Sequence, residues 1–172
     1  MSQKIVQEDI ATIVKNLGKD ALKFEGKTIL ISGGGGFLGK YLVGTLCHLN
    51  DTVLKNPCRI ISVDNYITGQ HHPHFNYRNR REVLEVWADV AYPLPVREDI
   101  HYIIHGAGLA SPVYYKKYPL ETIESAISGA KNLLELGRKN KNLEGFLFFS
   151  SSEIYGDPDP AAVPTPETYL GY

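Results

Sequence analysis

Four consecutive glycines, Gly33 to Gly36, separate a short apolar and β-branched run, Lys27 to Ser32, from a longer apolar stretch, Phe37 to Leu49. Together with Gly39 they set out a frame of equal spacing at Gly33, Gly36 and Gly39. A chain that passes from a strand through such a loop into a helix has few arrangements open to it. The turn needs backbone angles that a Cβ would oppose, and the bare backbone admits a ligand at close range. The helix that follows offers unpaired N–H groups and its positive dipole end, which suits a pyrophosphate. A plain flexible turn is the competing explanation, and the context of the loop has to separate the two.

That context is an alternation of strands and helices. Apolar runs at Arg59 to Asp64, Val83 to Ala88, Ile100 to His105 and Gly145 to Ser150 predict four more strands, with a long helix from Leu120 to Lys139 before the last. Near-continuous apolar strands are expected where helices cover both faces of a parallel sheet. The predicted fold class is therefore α/β, a Rossmann-type doubly wound parallel sheet, truncated after about the fifth strand. Ahead of it, Val6, Ile10, Ile13, Val14 and Leu17 fall at helical spacing with Gly18 as a stop. Residues 1–25 are expected to form an amphipathic extension packed on the surface of a dinucleotide-binding domain at 26–172.

Asp64 ends the second strand, where a carboxylate can accept hydrogen bonds from both hydroxyls of an adenosine ribose. The same charge repels a 2′-phosphate, so the expected cofactor is NAD rather than NADP. A turn-forming Asx residue ahead of Asn65 is the alternative reading of Asp64.

A formal net charge of −1 gives no reason to expect nucleic acid or an acidic membrane surface as a partner. Arg78, Arg80 and Arg81 gather locally and read as a solvated loop. The two cysteines, Cys47 and Cys58, have no metal-ligand spacing, so no metal is expected, and free thiols point to a reducing compartment. The first twenty residues are too polar for a signal peptide and no apolar run approaches membrane-spanning length, which predicts a cytoplasmic protein.

Three stretches carry a family resemblance. The Gly-Phe-Leu-Gly end of the glycine frame, Val63-Asp-Asn-Tyr-Ile-Thr-Gly69, and Ser150-Ser-Ser-Glu-Ile-Tyr-Gly-Asp-Pro158 resemble the extended short-chain dehydrogenase/reductases, the NAD-dependent epimerase/dehydratase group. Within it, His105 to Pro119 with its Ala-Ser-Pro and Tyr-x-x-x-Pro elements, Ser151-Ser152-Glu153, and Pro164 to Gly171 look like the UDP-glucuronate decarboxylases. The resemblance runs from about residue 26 onward. It implies a hydride loan: the sugar is oxidised at C4 at the expense of NAD, the β-keto acid loses its carboxylate, and the hydride returns. It implies cofactor contacts from Gly33, Gly36, Phe37, Leu38, Gly39, Asp64, Asn65, Thr68, Gly69, Asp89, Val90, Ala107 and Ser150. It further implies Ser151 at the C4 oxygen, Glu153 as an acid/base or positioning group, and Ser111 and Tyr115 along the sugar pocket. A hydroxyl aimed at an oxygen that gains charge stabilises the transition state, and a tuned carboxylate can move protons. The implied partner is a nucleotide sugar, a UDP-sugar first. A homodimer is implied for a full-length form, built partly on the helix at 120–139, whose missing partner helix would leave apolar surface exposed here.

Two departures from the family pattern stand out. Its general base is a tyrosine with a lysine four residues on, and none of the tyrosines here has that partner. Tyr77 with Arg81 has the spacing but precedes the third strand, and no lysine follows Lys141. Ala126 also stands where the family usually has an asparagine, with Gly129 and Ala130 following. The expectation is thus a truncated chain that binds NAD without turnover, its tyrosine–lysine pair lying just past Tyr172. A dTDP-glucose 4,6-dehydratase, a UDP-hexose 4-epimerase and a non-catalytic NAD-binding module are the alternatives.

Overall fold

The computed structural model describes residues 3–68, 77 and 79–171. Gly69 and Arg78 lie outside the described residues. Five strands, β1 (Thr28–Ser32), β2 (Arg59–Asp64), β3 (Val83–Trp87), β4 (Tyr102–His105) and β5 (Gly145–Phe148), form one sheet in the order β3-β2-β1-β4-β5. Every pairing is parallel, with Leu30 opposite Ile61 on one side and Ile103 on the other. The order reverses direction at β1, so a crevice opens between β1 and β4 at their carboxyl ends.

Alternation along β1 builds two cores. Ile29 and Ile31 point to the face covered by α2 (Phe37–Thr52), joining Val43, Leu46, Leu49 and Ile60. Leu30 points to the opposite face, where it meets Ile61, Val63, Ile103 and Leu133 of α4 (Pro119–Lys139). The short α3 (Pro112–Lys117) follows the β4 loop, with Pro112 in its first turn, where a missing N–H costs nothing.

The amphipathic extension is α1 (Gln3–Leu17), which buries Val6 and Ile10 and packs on α2. Gly18 ends it at φ +52, as expected of a stop, and the chain continues as a 3-10 helix over Gly18–Phe24. Its buried Ala21 joins the α2 core, and Phe24 sets its ring edge-on to Tyr102 at 5.7 Å.

Arg81 is exposed, as expected of a solvated loop, whereas Arg80 is a correction to that expectation. Arg80 is bound in a fork to Asp51 at the end of α2 (2.6 and 3.0 Å) and to Glu82 (2.6 Å). It fixes the loop before β3 onto α2. Both cysteines are free and buried, and burial pushes their thiols up to about 12 for Cys47 and about 11 for Cys58.

Coverage of the sheet is uneven. Leu147 and Phe148 of β5 are about half exposed (52% and 47%), and α4 presents Ile123, Ile127 and Leu134 outward along one side. Among the described residues, no helix is long and apolar enough to cross a membrane.

Candidate functional site

The glycine loop sits where β1 ends. Gly33 has φ +75, and a Cβ there would meet the Gly106 carbonyl oxygen at 2.7 Å, so the β1 and β4 loops touch through bare backbone. Gly39, in the first turn of α2, lies so close under the loop that its Cβ would stand 2.0 Å from the Gly33 carbonyl oxygen. The helix N-terminus is thereby pressed against the turn, and Gly36, Phe37, Leu38 and Gly39 line the crevice there.

Asp64 closes one end of the site. One carboxylate oxygen accepts the Gly35 N–H at 2.9 Å and the other the Tyr66 N–H at 2.7 Å. The second bond is the Asx turn anticipated as an alternative. It coexists with a ligand role, because a carboxylate has about four acceptor positions. The turn holds Tyr66 at φ +56, a left-handed backbone that non-glycine residues seldom adopt. The Tyr66 ring rests edge-on to Trp87 at 5.7 Å, beside Gly35. Burial holds the Lys40 ammonium below its usual range, with Asp64 pulling the other way.

Two adjoining clefts run from this point across the carboxyl ends of the strands. The first is lined by the glycine loop, Asp64, Asn65, Thr68, Asp89 and Val90, with Gly106 and Ala107 on its far side. Asn65 donates to Asp89 at 3.0 Å, and Asp89 in turn accepts the Ala91 N–H, so the two polar residues brace each other. The second cleft continues past Phe37, Leu38 and Gly39 to Ser111, Tyr114 and Phe149. No lysine or arginine lines either cleft among the described residues, so an anion here would be held by backbone N–H groups and the helix dipole.

The structure thus gathers Gly33, Gly36, Phe37, Leu38, Gly39, Asp64, Asn65, Thr68, Asp89, Val90, Ala107 and Ser111 around one continuous crevice. Gly69 falls outside the described residues. Tyr115 is not in the lining; its neighbour Tyr114 is, one residue earlier on α3, which starts after Ser111. Ser150, Ser151 and Glu153 are exposed and outside the lining, although Phe149 just before them is within it. Ser151 accepts the Glu153 N–H at 3.3 Å, at the start of a 3-10 helix over Ser152–Tyr155.

Sequence reasoning passed over several contributors. Glu121 and Ser125 of α4 line the first cleft, and Asn132 donates to the Val90 carbonyl at 2.9 Å. At the floor of the second cleft, which Ser32 lines, Ser32 and His105 are buried and bonded to each other at 2.8 Å. A histidine ending an apolar strand was the available signal.

The site fits a dinucleotide on geometric grounds: a Cβ at Gly33 or Gly39 would collide with backbone, so the cradle exists only because it is bare. Comparison with known proteins agrees. The chain is 36% identical over 150 residues to UDP-glucuronic acid decarboxylase 2 of Arabidopsis thaliana, covering 87% of this chain and 31% of that protein. It is 32% identical over 146 residues to UDP-glucuronic acid decarboxylase 1 of Danio rerio, covering 85% of this chain and 32% of that one. It therefore spans about a third of the length of such relatives. Among solved structures, UDP-glucose 4-epimerase of Thermotoga maritima with UDP-glucose superposes with a TM-score of 0.63 at 25% identity, over 84% of this chain and 44% of that one. WbmF of Bordetella bronchiseptica with NAD+ shares the fold, with a TM-score of 0.62 at 18% identity, over 86% of this chain and 42% of that one. A sequence model of the NAD dependent epimerase/dehydratase family matches residues 29–171. With its bare glycine cradle, terminal aspartate and parallel Rossmann-type sheet, the chain belongs to the NAD dependent epimerase/dehydratase family.

Proposed function

We propose that this chain binds NAD in the crevice and forms the cofactor-binding part of a nucleotide-sugar enzyme. The observation that carries the reading is the continuous path from the Asp64 carboxylate, over the bare Gly33–Gly39 loop, to the Ser111–Tyr114 end. Asp64 takes the ribose hydroxyls and disfavours a 2′-phosphate. The helix N-terminus of α2 takes the pyrophosphate, and Asn65, Asp89 and Val90 border the adenine. Bound NAD supplies a reversible hydride acceptor.

The substrate reading is decarboxylation of UDP-glucuronate to UDP-xylose through a 4-keto sugar. It is supported by decarboxylase relatives at 32% to 38% identity, against 25% for the superposed epimerase. In this reading Ser151 hydrogen-bonds the C4 oxygen, Glu153 positions or moves a proton, and Ser111 contacts the sugar together with Tyr114, which lines the crevice where Tyr115 does not. Proton removal from the C4 hydroxyl needs a base of depressed pKa. No tyrosine in these 172 residues has a lysine four positions on, so the chain alone is proposed to bind without turnover.

Calorimetric titration with NAD, and with NADP in parallel, tests the cofactor reading. Binding of NAD with clearly weaker binding of NADP supports it; a folded chain that binds neither overturns it. For the substrate, a protein containing this chain and a Tyr-x-x-x-Lys pair should release CO2 from UDP-glucuronate and leave UDP-glucose unchanged. Epimerisation of UDP-glucose instead would select the epimerase reading.

A further inference from the structure

Ser32 and His105 are the last residues of β1 and β4, partners in the parallel register, and both are buried. The Ser32 hydroxyl lies 2.8 Å from His105 Nδ1 and also accepts the Ala107 N–H at 3.3 Å. The Ser32 carbonyl accepts the Gly106 N–H at 3.1 Å. One residue therefore bonds the β4 loop twice and its terminal histidine once. Directly above, Gly33 touches Gly106 and Ala107 through backbone alone. Gly33 and Gly106 line both clefts, so this contact is the point at which the two halves of the crevice join.

The histidine is held from its other sides as well. Its ring stands edge-on to Phe148 at 5.3 Å, and its Cε1 edge lies beside Gly129 of α4, whose missing side chain leaves room for Val90. His105 Nε2 is buried with no hydrogen-bond partner among the described residues. A polar group so placed carries a desolvation cost that an apolar side chain of similar size would avoid. The retained imidazole bonds the Ser32 hydroxyl, and the Ser125 backbone of α4 favours its charged form from the other side.

We propose that Ser32 and His105 are positioning residues, a buried staple that holds the β4 loop against the glycine loop so that the nicotinamide half of the cofactor meets a crevice of fixed width. The inference rests on the NAD reading above. It assigns no contact between either side chain and the cofactor. Opening the staple lets the Gly106–Ala107 loop move away from Gly33, which matters to a ligand spanning both clefts and little to one confined to the Asp64 end.

The test compares NAD with AMP, which reaches only from Asp64 to the glycine loop. Ser32→Ala and His105→Leu remove the bond from either side, while His105→Asn keeps a hydrogen-bonding atom near the Nδ1 position. Loss of one buried bond corresponds to roughly a ten-fold weaker NAD affinity for the first two variants. AMP affinity is expected to hold within about two-fold, and His105→Asn to retain wild-type NAD affinity within the same margin even if it melts earlier. A merely structural role would instead make NAD and AMP affinity fall together, in step with melting temperature, and that result overturns the staple. Equal NAD binding by wild type and Ser32→Ala also overturns it. Failure of the folded wild type to bind NAD overturns the cofactor reading, and the staple's role with it.

Discussion

Replacing Gly39 with alanine tests the glycine cradle most directly, because the two effects of the added methyl oppose each other. Alanine is favoured over glycine inside a helix by about 1 kcal/mol, so on α2 alone the variant should be stabilised. The added Cβ, however, would stand 2.0 Å from the Gly33 carbonyl oxygen and 2.7 Å from Gly34 Cα. Ordinary contact begins well beyond 3 Å, and both neighbours are backbone, so no side chain can swing aside. The helix start and the loop must separate by more than an ångström. Overpacking of that kind costs about 1–3 kcal/mol, which outweighs the helix gain at the upper end and cancels it at the lower. Ligand binding is more sensitive, since the displaced groups are the phosphate-facing backbone itself, and roughly a ten-fold or greater loss of NAD affinity is expected. Gly108→Ala is the control. It also lines the crevice, but a Cβ there has nothing within 4 Å. Thermal unfolding and NAD calorimetry on both variants read out the two effects. A Gly39→Ala protein that melts above wild type and binds NAD equally well would refute the close apposition of helix and loop.

Three further outcomes are expected. Asp64→Asn removes the charge proposed to face the ribose and leaves one oxygen acceptor for the Gly35 and Tyr66 N–H groups. The NAD-to-NADP affinity ratio should fall by roughly ten-fold, and an unchanged ratio would remove Asp64 from cofactor choice. His105 has its imidazole pKa held below the usual range by burial, so below a pH of about 6.5 the unfolded chain binds a proton that the folded one resists. Its contribution is fully present above that pH and is lost as the pH falls toward the folded value. The drop in melting temperature from pH 7 to pH 5.5 should therefore be smaller in His105→Asn. Finally, Cys47 and Cys58 should resist alkylation at pH 8 in the folded protein and both react in denaturant, because thiols raised to about 12 and about 11 hold almost no thiolate. Rapid labelling of the native chain would place them outside the core.

Local chemistry carries a great deal of this protein. The glycine spacing, the acidic end of β2 and the apolar strand runs depend on neighbours within a few residues, and each is found near its expected position: β2 spans Arg59–Asp64, and α2 begins at Phe37. Where backbone hydrogen bonds could be satisfied in more than one way, the sequence was less decisive. The segment after Gly18 winds into a 3-10 helix because Ala21 and Phe24 find burial against elements far along the chain. Arg80 reads as a surface charge until Asp51 and Glu82 are brought to it.

The site divides in the same way. That a loop of bare backbone would cap a helix and suit a phosphate followed from residue types in a seven-residue window. Which side chains face the crevice did not. Tyr114 rather than Tyr115 lines it, since the choice depends on the phase of α3, and a one-residue step turns a helical side chain by roughly 100°. The bond between Ser32 and His105 joins residues 73 apart, and each alone reads as an ordinary strand end. Periodicity and turn chemistry are short-range and are written in order along the chain. Contacts across the sheet arise only when parallel strands distant in sequence settle into register, and those contacts place the polar groups beneath the crevice.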